Sequence, residues 1–189
     1  MGDLVSQALQ QIGLTDADVQ KGTLKTGGTA GPTYLSSNPK FSSAIPAKTI
    51  VVNSVEELKE IVGAHGTSSG SGQLSALPAP WPQDKNGLEK HELTESDELD
   101  IYAALRAIVL GQSDAVNSYT GIVNARYFPL NATAYAGEDI VVTADNPLII
   151  EPDGHDPVIV TFNSVTLEQG GQIICEAPVI MTVNTFTKQ

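Results

Sequence analysis

DIVVTA (139–144), PLIIE (147–151), PVIVTF (157–162), SVTLE (164–168), QIICEA (172–177) and VIMTVNTFT (179–187) follow one another through the last third of the chain. Each run is short and rich in β-branched residues, as strands are. Between them stand Asp145-Asn146, Pro152-Asp153-Gly154, Asn163, Gly170-Gly171 and Ala177-Pro178, which turn or break a strand. Such a block is a scaffold, and a scaffold presents a surface more often than it runs a reaction.

Two arrangements suit these runs. Val141, Ile149, Ile159, Val165, Ile173 and Ile180 recur about six to ten residues apart, as on a short β-solenoid with corners at Pro152–Gly154 and Gly170-Gly171. No residue recurs at a fixed period, which keeps a small β-sandwich as the alternative. So few rungs cannot stand uncapped, so the N-terminal helices are expected to complete the core. The final run, PVIMTVNTFT, has few charged gatekeepers and is expected to be covered or paired with another subunit.

Upstream, Leu4, Val5, Ala8, Leu9 and Ile12 have helical spacing, with Gly13 as a stop. Thr15 offers a cap to a short turn, and residues 22–46 read as an extended loop anchored by Tyr34 and Phe41. Thr49–Val52 reads as a strand leading into a helix. Ser54 and Glu57 stand at capping-box spacing, and Val55, Leu58, Ile61 and Val62 share one face. Residues 63–83 are rich in Gly, Ser and Pro. The acidic stretch after them opens a helix from about Glu95 to Leu110, capped by Thr94 or Ser96. From Gly121 on, IVNARYF has period two and is read as strand. The expected fold is therefore α+β, a helical N-terminal half packed on a C-terminal all-β block. Its segments are 1–62 (helix, strand, helix), 63–83 (loop or linker), 84–120 (acidic segment and central helix) and 121–189 (β block).

The charge balance narrows the partners. Ten Lys and Arg against 22 Asp and Glu give a net −12, which disfavours nucleic acid and anionic membrane surfaces. Protein partners, glycans and divalent cations stay open. No apolar stretch is long enough to span a bilayer, and MGDLVSQALQ lacks a secretory signal's basic and apolar regions. The expectation is a soluble protein, cytoplasmic or released by a signal-independent route. Cys175 is the single cysteine and reads as an inward-pointing small hydrophobe.

Candidate sites follow. Glu151, Asp153, His155 and Asp156 crowd EPDGHD, and Glu151, Asp153 and Asp156 are the ligand types a hard cation such as calcium would take. The same letters also spell a solvated turn, so the expected cofactor is none, with calcium the one exception. Trp81, in PAPWP, either stacks on a ligand or folds back over its own core, and the second reading is favoured. Tyr34 and Tyr127 are the other aromatic binding candidates. His65, His91 and His155 lie in three unlike segments, and GTSSG (66–70) lacks the strand and helix of a nucleophile elbow. No catalytic residue is assigned.

The expectation is a non-enzymatic binding or assembly protein, of the kind found as toxin or adhesin subunits, that shows an acidic β-rich surface to a partner protein, glycan or cell surface. It self-associates through its C-terminal β block. The alternatives are a carboxylate-based hydrolase of neutral polysaccharides, using Glu151 with Asp153 or Glu168, and a calcium-dependent structural module.

Overall fold

The computed structural model describes residues 3–28, 31–63, 76–154 and 157–189, which form four α-helices and eight strands. Strands β1 (Gln20–Lys25), β4 (Leu130–Val142), β6 (Val158–Leu167) and β8 (Val179–Lys188) stack in that order in one sheet, and β3 (Lys48–Val52) also pairs with β4. Strands β2 (Thr33–Ser36), β5 (Leu148–Glu151) and β7 (Ile173–Cys175) stack in a second sheet. The ladders from β1 through β8 and from β2 through β7 are parallel.

The register shows how the chain climbs. Thr133 pairs with Val158 in the first sheet and Leu148 with Ile173 in the second, a step of 25 residues in both. Val158 then pairs with Val179, a step of 21. Equal steps in two sheets mean that each turn of chain adds one strand to each, rung upon rung. Parallel neighbours need a crossover, and here the crossover is the other sheet.

By compactness the chain divides into two units, residues 1–50 with 131–189, and residues 51–130. The first rung (β1, β2) thus comes from the N-terminal segment, and the later rungs follow the second unit in sequence. This overturns the expected α+β plan of a helical N-terminal half over a C-terminal β block, whether as solenoid or as sandwich. The molecule is mixed α/β, with strands in parallel sheets spread through the chain.

Two local readings explain the miss. Residues 22–46 read as loop because β1 is short and almost wholly exposed, and its partner lies far away in sequence, Thr23 opposite Asp139. IVNARYF reads as strand but forms α4 (Thr120–Tyr127), with Ile122 and Val123 buried. Its apolar residues fit a short helix as well as an alternating strand, and only packing decides between them.

Inside the first unit, inward side chains stack in columns. Tyr135, Ile140, Val142, Val158, Val160, Phe162 and Val165 of one sheet meet Leu148 and Ile150 of the other, with Leu35 and Ile45. Each such fully buried aliphatic or aromatic side chain contributes about 1.5–3 kcal/mol through area removed from water. Helix α1 (Asp3–Gln11) lies against the outward side of the first sheet. Its Val5 and Leu9 bury with Val19 and with Ala136 of β4.

The second unit holds α2 (Val55–Val62), α3 (Glu95–Val109) and α4. Ser54 Oγ caps α2 by accepting from Glu57 N at 3.2 Å, while the Glu57 carboxylate accepts from Asn53 N at 2.7 Å. Gly63, at φ 67°, ends the helix in the left-handed conformation that a glycine adopts without strain. Thr94 caps α3 in the same reciprocal way with Asp97. Among the described residues no helix is long and apolar enough to cross a membrane.

Candidate functional site

The feature that stands out is the last rung. Strand β8 is ten residues long and pairs with β6 alone, so among the described residues its other edge is unpaired. Its inner row prolongs the core columns. Val179 continues Val158, Met181 continues Tyr135–Val160, and Val183 continues Gly137–Phe162. Phe186 continues the column Leu24–Ile140–Val165 but stays 55% exposed, because among the described residues no strand is stacked beyond it. Val179, Met181 and Val183 are only half-buried for the same reason. Helix α1 packs beside β6 and β8. Packed against Ala136, it covers the outward face, where Ile159 and Ile180 are buried.

A polar ladder runs beside the apolar columns. Asn184 Nδ2 donates to Asn163 Oδ1 at 3.0 Å, and Ser164 Oγ donates to Asp139 Oδ1 at 2.6 Å. These bonds tie β8 to β6 and β6 to β4 at the level where Asn163 and Ser164 leave the inner row. Stacked amides of this kind fix register between rungs.

The two edges of the first sheet differ in charge. On β1, Lys21 Nζ lies 2.7 Å from Asp16 and 3.5 Å from Glu138, and Lys25 Nζ lies 3.2 Å from Glu168. The Asp16 carboxylate, then Glu138, raise the Lys21 pKa above the usual lysine value. Nearby, the N–H and hydroxyl of Thr15 and the ammonium of Lys48 hold Asp18 down at about 2. An edge lined with lysines resists pairing with another strand. On β8 the only charged residue is Lys188, and Val179–Val183 has none.

The other candidates fall as follows. Trp81 is 4% exposed. Its indole N–H donates to Asn86 Oδ1 at 3.1 Å, and its ring sits 5.4 Å from that of Tyr119. It is a core residue of the second unit, with no free face for a ligand. Tyr34 stacks on Phe41 at 4.5 Å in the first unit, and Tyr127 is half-buried in the second, its hydroxyl pKa raised by burial and then by Glu98. The three aromatics therefore belong to two units. Glu151 ends β5, and Asp153 follows in the turn, where its N–H donates to Ser37 Oγ at 2.9 Å. Asp156 and His155 lie outside the described residues, as do His65 and residues 66–70. Among the described residues no three His, Cys, Asp or Glu gather as a metal site.

Cys175 differs from its expected place. It is exposed at the end of β7, and desolvation of the thiol, then Glu176, pushes its pKa up. A thiol held protonated in this way is a poor nucleophile.

The sequence signal for the β8 edge was its missing gatekeepers. Which of its residues face the core was not legible, because that depends on register with β6.

Comparisons with protein-family models, with curated proteins and with solved structures find no match for this chain.

Proposed function

We propose that the chain is a non-enzymatic binding and assembly protein whose stacked parallel strands are the scaffold and whose open β8 edge is the contact surface. The observation that supports this is the ten-residue strand with one side unpaired among the described residues and a half-exposed apolar inner row. An exposed edge offers a row of backbone donors and acceptors to an incoming strand, and the apolar row supplies area to bury. The remaining acidic surface keeps phosphate-rich ligands away.

A screen on neutral polysaccharides tests the non-enzymatic part. No turnover is expected. Turnover that disappears in Glu151→Gln would show a carboxylate hydrolase and overturn the reading.

A further inference from the structure

Resting on that reading, we infer that the occupant of the β8 edge is a second copy of this chain, paired antiparallel with the first across a two-fold axis near Met181.

A core ends cleanly when its last layer is polar or capped. Here the last layer is Val179, Met181 and Val183, continuous with the interior columns and only half-covered. Phe186 adds a ring that is 55% exposed. An unpaired hydrophobic edge of this kind is the arrangement that monomeric β-proteins avoid, and this protein does avoid it at β1 with Lys21 and Lys25. One edge is guarded and the other is not.

Charge selects the partner. The chain carries a net −12, so two copies repel wherever their acidic faces approach. The segment Val179–Val183 holds no charged residue, so here two copies can meet without like-charge contact. A basic partner would be drawn to the acidic faces instead and gains nothing from an uncharged strand.

Pattern selects the geometry. Directly opposed residues of an antiparallel pair share a face. Turning β8 about an axis at Met181 sets Val179 opposite Val183 and Met181 opposite its own copy. The inner row thus meets itself, Ile180 falls opposite Thr182 on the outer side, and the two cores become continuous. This contact is isologous and closes at two copies. Head-to-tail stacking would instead bring β8 onto the Lys21 and Lys25 edge and grow without limit.

Sedimentation of the full chain across a wide concentration range tests this, together with hydrogen exchange of the Val179–Val183 amides. The expected result is a reversible shift from one 19.9 kDa chain to two, with the Val179, Met181 and Val183 amides, which point away from β6, at least tenfold better protected in the dimer. Met181→Lys should hold the chain monomeric. Met181→Cys in a Cys175→Ser background should cross-link under mild oxidation, while Thr23→Cys in the same background, on the β1 edge, should not. The exchange measurement needs no variant, so the outcome does not depend on Met181→Lys folding. A single-chain mass at every concentration overturns the dimer, and leaves the non-enzymatic reading to the polysaccharide screen. A dimer without that protection at Val179, Met181 and Val183, or a mass that rises beyond two chains, overturns this geometry.

Discussion

Gly137→Ala gives a sharp test of the stacked core. Gly137 lies in the column above Phe162, and a methyl group built on it would come 2.6 Å from Phe162 Cε1, 3.0 Å from Cδ1 and 3.1 Å from Ile45 Cδ1. Carbon contacts are normally about 3.5–4.0 Å, so the ring must move by about an ångström. Phe162 and Ile45 are both essentially inaccessible to solvent and packed on all sides, which leaves little room for that movement. Overpacking of this kind costs about 1–3 kcal/mol, and the depth of the site puts the expected loss near 2–3 kcal/mol. For a chain of this size that lowers the melting midpoint by about 4–12 °C. Trp81 lies in the other unit, so its fluorescence is the wrong probe. Hydrogen exchange of β4 and β6 amides during denaturant titration reads the right one. Phe162→Leu should relieve the clash, so Gly137→Ala should cost less than about 1 kcal/mol in that background. The coupling between the two changes is then about 1–2 kcal/mol. Additive effects would refute the claim that this glycine is required by the ring beneath it.

Other expectations follow from single contacts. Thr161 is 1% exposed and its hydroxyl has no hydrogen-bond partner among the described residues, so Thr161→Val should stabilise the first unit by about 1 kcal/mol in urea titrations. In the second unit, Lys85 at 2.7 Å, then the N–H and hydroxyl of Thr94, hold Asp97 down at about 2. Its folded value is below the unfolded value of about 3.9, so its contribution is complete above about pH 4 and is lost as pH falls towards 2. Asp97→Asn should flatten the acid dependence over that window, followed by Trp81 emission. Trp81→Ala should cost about 3–5 kcal/mol in the second unit by removing a buried ring. A stable Trp81→Ala protein would contradict its place in the core.

The features legible in the chain alone are local ones. Capping pairs three residues apart, Ser54 with Glu57 and Thr94 with Asp97, set where α2 and α3 begin, because the bonds they make are internal to one turn of chain. The spacing of Val55, Leu58 and Ile61 set the buried face of α2. The β-branched runs after residue 138 marked strands, and the missing charge in VIMTV marked a strand expected to be covered or paired. Tertiary structure decided what depends on partners distant in sequence. Thr23 meets Asp139 across the whole second unit, so β1 and β2 could not be told from loop. The apolar pattern of residues 122–128 suits helix and strand alike, and packing chose α4. Trp81 in a proline-rich run has no local signal of burial; Asn86 and Tyr119 supply it. Parallel register is fixed by burying matched columns one rung at a time, and that energy belongs to no single segment. The same stacking makes β8 the outermost strand of the first sheet among the described residues and leaves Met181, Val183 and Phe186, residues of core type, partly exposed.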